Sequence, residues 1–160
     1  MGKRREGREA AVQFLYQRDL NPEVAEPKVA APAGEDAVPE AKEGSRDGFW
    51  AMLDAKKATR DFCEGLVQGV LEHREEIDGR ITKYSANYEL GRIAAVDRNV
   101  LRVAIYEMLY CEEIPPVVSI NEAIEIAKRF GSEESGRFVN GILDRVRLEL
   151  ARPARTAAGA

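Results

Sequence analysis

The chain is poor in residues that do chemistry on their own. Its 160 residues include a single histidine, His73, and two cysteines, Cys63 and Cys111. Neither cysteine has a histidine at motif distance, the pair lacks metal-ligand spacing, and no Gly-rich turn follows a strand pattern, because no strand pattern exists. His73 sits among charged residues at a helix end and reads as an ordinary surface residue. The sequence therefore offers no catalytic residue, no metal site and no cofactor site. Long apolar runs are missing too, and the charged N-terminus has no apolar stretch behind it, which argues against membrane insertion and secretion. A cytoplasmic protein with free, reduced thiols is expected.

Period-two alternation never persists, so β-structure is excluded, while 44% apolar residues suffice for one buried core. Helical spacing fills the gap. The first helix is expected from about Lys3 to Leu20, with Ala11, Val12, Leu15 and Tyr16 on one stripe, stopped by Asn21-Pro22. Residues 21–48 hold four of the seven prolines and seven acids, with few large apolar side chains, and are expected to be a disordered insertion. Helical pattern resumes near Phe49–Lys56, then Thr59–Glu75, then a short stretch around Ile77–Ser85. Ala95–Cys111 carries a wide apolar face typical of a central helix. After Pro115-Pro116, Ser119 to Glu122 has the form of a capping box, which would start a helix ending at Gly131. A last helix opens after Ser132, with Glu133 and Glu134 where the helix dipole favours acids. Asn140-Gly141 within it is expected to permit close helix packing. The expected domain is residues 1–20 joined to 49–150, with 151–160 a disordered tail. The fold class is all-α, an irregular bundle of about seven helices.

Net charge is −4, which by itself disfavours nucleic acid. Its distribution matters more, because a charge cluster acts over a Debye length of only about 8–10 Å. Residues 1–20 carry five basic and three acidic groups, whereas the remainder is acidic. A helix built only for stability places acids in its first turn. Here Lys3, Arg4, Arg5 and Arg8 crowd that end, with Arg4 and Arg8 on one side and Arg5 about 100° round. The arrangement suits the phosphates of one strand, since arginine pairs bidentately with phosphate oxygens or stacks on bases. The plainer reading is a charged terminus partly neutralised by Glu6 and Glu9. The stretch Lys128 to Phe138 adds bases and the aromatics Phe130 and Phe138 between two helices; such phenylalanines are more often core than base-stacking platforms.

Three segments share a further feature. Arg4 to Gln17, Val96 to Glu107, and the stretch Pro115 to Asp144 with its Asn121-Glu122-Ala123, Phe130-Gly131 and Phe138-Val139-Asn140-Gly141 runs resemble the opening helix, central helix and C-terminal signature of the NusB transcription antitermination factors. The resemblance implies an all-α fold in two packed halves. It implies binding of single-stranded boxA RNA from ribosomal RNA operon transcripts together with NusE, a small-subunit ribosomal protein, and indirect action on RNA polymerase with other Nus factors. Enzymatic activity is not implied. Carried over by position, Lys3, Arg4, Arg5 and Arg8 would bind RNA, Phe130, Glu134 and Phe138 would border its path, and Tyr16 and Asp97 would face NusE. Glu6 stands where some relatives have another arginine, implying a weaker RNA patch. Monomer and homodimer both stay open. Two alternatives are a stand-alone relative of the RNA-recruiting domain of an rRNA cytosine methyltransferase and a helical bundle that binds only proteins.

Overall fold

The computed structural model describes residues 3–20, 57–85 and 90–158; the side chains of Lys3 and of 151–158 lie outside that description, as do the expected insertion at 21–48 and the helix near Phe49–Lys56. Among the described residues six α-helices follow one another: α1 Lys3–Leu20, α2 Lys57–Glu72, α3 Arg74–Tyr84, α4 Ala95–Tyr110, α5 Pro116–Phe130 and α6 Glu133–Ala158, with a 3₁₀ turn at Leu90–Arg92 before α4. No strand occurs among the described residues, and none of their helices is long and apolar enough to cross a membrane.

Helix α4 is the hub. It packs against all five other helices, between an α1–α2 pair on one side and an α5–α6 pair on the other, with α3 closing one end. Its run Asn99–Ile105 is buried all round, which is why the sequence gives it the widest apolar face. Helix α1 is enclosed on two sides, burying Ala10, Ala11, Val12, Phe14 and Leu15 against α2 and α4. Close approach of α2 to α4 depends on Gly69: a Cβ there would stand 2.0 Å from the Tyr106 ring. Only glycine leaves room for that ring.

Three local expectations change. The long helix expected over Thr59–Glu75 breaks at His73, whose ring stacks on Tyr110 with centroids 4.0 Å apart. Helix α5 starts at Pro116, not Ser119. Proline is preorganised for the first helical position, where its missing N–H costs nothing, and the Ser119 N–H already bonds the Pro115 carbonyl. Ser119 is buried inside the helix and caps nothing. Gly141 has open space where a Cβ would be, and Asn140 is exposed, so that dipeptide mediates no close packing. The helical span of α6 is drawn to Ala158, across Pro153.

A charged network fastens the C-terminal end of α1. Asp19 accepts hydrogen bonds from Arg98 Nε (2.9 Å), Asn99 Nδ2 (3.0 Å) and Arg102 Nη1 (2.8 Å), all on α4. Arg102 also donates from Nε and Nη2 to both Asp78 oxygens of α3 at 2.8 and 3.0 Å. Burial alone would push the Asp19 carboxyl up, but Arg102, Arg98 and Asn99 together hold it below the ordinary carboxylate range.

Candidate nucleic-acid interface

Successive α1 positions turn by about 100°, so its arginines leave in different directions. Arg4 is exposed and leans over α2, its guanidinium carbon 5.7 Å from the Phe62 ring centroid. Such a contact is worth about 0.5–1 kcal/mol at an exposed site. Arg5 faces α5, where Nε lies 2.5 Å from Glu122 Oε2 and Nη2 lies 3.1 Å from Oε1. The side chain of Lys3 is among those not described.

Arg8 corrects the sequence-based expectation that it stands with Arg4 in reach of a strand. It is only 4% exposed. Its Nε bonds Glu107 Oε1 and Oε2 at 2.9 and 3.0 Å, and Glu107, on α4, is itself buried. One turn into α1 the side that carries Arg4 swings under Phe62 and between α2 and α4. A buried guanidinium must be paired, and Glu107 provides the pair. Burial pushes the Glu107 carboxyl up, and Arg8 pulls it back only in part. Glu107 went unnoticed in the sequence, although a signal was present. It lies seven residues after Val100 and three after Ala104, an acid on an apolar face, and such an acid calls for a buried cation.

A second ion pair lies along α1. Arg129, near the end of α5, directs Nη1 to both Glu9 oxygens at 2.8 Å, with its guanidinium 5.5 Å from the Phe130 ring centroid. Arg5 opposite Glu122 and Glu9 opposite Arg129 mean that α1 and α5 run in the same direction here, bridged by long charged side chains. The Phe130 loop is thereby brought beside the first turns of α1. Phe130 and Phe138 are half-buried against the core, whereas Glu134 is exposed in the first turn of α6. The loop itself is organised by Ser132, whose Oγ accepts the Ser135 N–H as a helix cap.

Tyr16 and Asp97 belong to the opposite end. The pairs Arg8–Glu107 and Asp19–Arg98 show that α1 and α4 are antiparallel, so Tyr16 sits about 16 Å and Asp97 about 21 Å along α1 from Arg5, with Asp97 also reached by Ser135 at the start of α6. Tyr16 is half-buried. Asp97 is more enclosed than a partner-facing residue was expected to be, at 8% exposure. Burial pushes its carboxyl up against the lowering effect of a Ser135 hydrogen bond, and its Oδ1 meets no donor among the described residues. Among the described residues no cluster of histidine, cysteine and carboxylates could hold a metal ion. Cys63 and Cys111 are not joined in a disulfide, and burial pushes the Cys111 thiol up to about 11.

Residues 5–147 match the NusB family. The transcription antitermination protein NusB of Geobacter sulfurreducens is 47% identical over 146 residues, covering 91% of this chain and 94% of that protein. The chain belongs to the NusB family. NusB of T. maritima superposes with a TM-score of 0.71 at 34% identity, over 91% of this chain and 90% of the other. A chain from the crystal structure of the antitermination factors NusB and NusE in complex with dsRNA superposes at 0.69 over 91% and 96%, and its 24% identity speaks to the fold alone. The NusB-family signature read in the sequence thus falls on α1, α4 and the α5–α6 pair, the elements that enclose the arginine seam.

Proposed function

We propose that the chain is an RNA-binding transcription antitermination factor that, together with NusE, binds the boxA element of ribosomal RNA operon transcripts and promotes their full-length transcription and maturation. The observation that carries this reading is family membership across 5–147, among relatives that are transcription antitermination proteins. The geometry supports it with two outward cations at the start of α1, Arg4 and Arg5, and with Phe130 and Glu134 alongside. Lys3 belongs to the same group by position, and Phe138 supports the loop from below. Arg8 acts on RNA only by holding α1 in place.

NusE would dock at the other end of α1, on Tyr16 and Asp97. Other Nus factors and RNA polymerase join indirectly, the protein works in the cytoplasm, and it catalyses no reaction. Phosphate contacts would supply affinity, with specificity coming from bases and partner.

The test is binding of a boxA-containing single-stranded RNA, with and without NusE, by wild type and Arg4→Ala/Arg5→Ala. Each phosphate that the variant leaves unneutralised should reduce the salt slope of log K by about 0.7. Unchanged affinity and slope in the double variant would remove this end of α1 from the RNA site.

A further inference from the structure

The seam between α1 and α5 carries a cation that the sequence did not assign to RNA and two carboxylates that oppose one. Arg129 is 62% exposed. It spends Nη1 on Glu9, while its Nε and Nη2 make no hydrogen bond to a described residue. Arg5 gives its paired donors to Glu122, with Glu125 and Glu9 adding to the negative field around it. The end of the molecule that looks basic in sequence is therefore close to neutral along this seam.

We propose that Arg129 is a further phosphate-binding residue, and that Glu9 and Glu122 are internal competitors which an RNA strand displaces from Arg129 and Arg5. The inference rests on the RNA reading above and adds to it. A carboxylate and a phosphate present the same pair of oxygens to a guanidinium fork, so each acid occupies the place a phosphate would take. The exchange costs the fold less than one in the core would, because each pair keeps its guanidinium in contact with water, Arg129 at 62% and Arg5 at 28% exposure, and exposed ion pairs contribute only about 0–1 kcal/mol. Rise along α1 sets Arg5 and Glu9 about 6 Å apart, so the two cations lie along the helix rather than at one point. Phe130, under Arg129, lies where a base next to the bound phosphate could stack. The acids also give selectivity: an isolated phosphate gains little by replacing an existing carboxylate, while a strand that engages both cations and a stacked base does.

The experiment measures affinity and salt slope for the same boxA-containing RNA in the presence of NusE. Arg129→Ala should weaken binding and reduce the slope by about 0.7. Glu9→Gln and Glu122→Gln should each tighten it by about two- to fivefold, the equivalent of one exposed ion pair. Glu75→Gln makes the same charge change on α3, away from the seam, and should leave affinity unaltered. Equal tightening by Glu75→Gln would reduce the effect to overall charge and overturn the inference. So would a wild-type affinity and slope retained by Arg129→Ala. Thermal melting confirms folding, and Arg129→Gln replaces the alanine variant should the latter lose its transition. Failure of wild type to bind RNA at all would overturn the RNA reading and this inference together; binding by wild type with no response to the three seam variants overturns this inference alone.

Discussion

Both ends of α1 are tied to the bundle by arginine and carboxylate, in opposite surroundings. At the C-terminal end Asp19 accepts three donors from α4, and Arg102, 3% exposed, is shared with Asp78. At the N-terminal end Arg5–Glu122 and Arg129–Glu9 are in contact with water. Enclosure makes the first set indispensable, since removing one member strands a charge where water cannot reach it. Exposure makes the second set exchangeable, since water or a ligand can replace either partner at small cost. One chemical pair thus serves as a fastener at one end and as a replaceable contact at the other.

The largest effect that would test this contrast is at Arg102. Arg102→Ala removes the one cation shared by Asp19 and Asp78, leaving Asp19 to Arg98 and Asn99 and Asp78 to the looser, more exposed Arg74, and should cost about 3–5 kcal/mol in urea unfolding. A change below about 1 kcal/mol, the range of an exposed pair, would mean that water reaches the network and that the two ends do not differ. A smaller effect is expected with pH. The lowered Asp19 carboxyl contributes stability that is complete above the ordinary carboxylate range, about pH 4, and is lost as pH falls through its lowered value. Asp19→Asn should therefore melt below wild type at pH 7, with the gap closing as the pH is taken below about 4. A gap independent of pH would assign the difference to packing. The smallest effect belongs to the seam, where Glu9→Gln should change unfolding free energy by less than about 1 kcal/mol. A destabilisation as large as that of Arg102→Ala would make the seam a fastener too, and would leave no exchangeable contact for a phosphate.

Periodicity made the helices legible wherever burial is one-sided or complete. Lys3–Leu20 and the central helix from Ala95 were expected nearly as found. The break after α2 was expected between Glu75 and Ile77 and falls at His73, because no proline in the sequence fixes where the stripe of α2 gives way to Ile77 and Ile81 of α3. Ser119 to Glu122 has the composition of a cap, but the two prolines before it start the helix first. At the site, spacing told which arginines share a side of α1 but not which side faces inward, and so misplaced Arg8. The pairings that decide the seam's charge join residues more than a hundred positions apart: Arg5 with Glu122 and Glu9 with Arg129. Local pattern carries no trace of such contacts. Tyr16 and Asp97 were named from resemblance, and the cost of burying Asp97 emerges only once α6 lies over it.

Phe62 has two guanidiniums near its ring, one from exposed Arg4 and one from buried Arg8. Protons held over an aromatic face are shifted upfield, so both side chains carry a magnetic label supplied by the protein itself. A strand that drew Arg4 off the ring would erase its label, while Arg8, locked on Glu107, would keep its own as an internal standard. Occupancy at the start of α1 could then be followed in an unmodified chain, with one phenylalanine serving as both probe and reference.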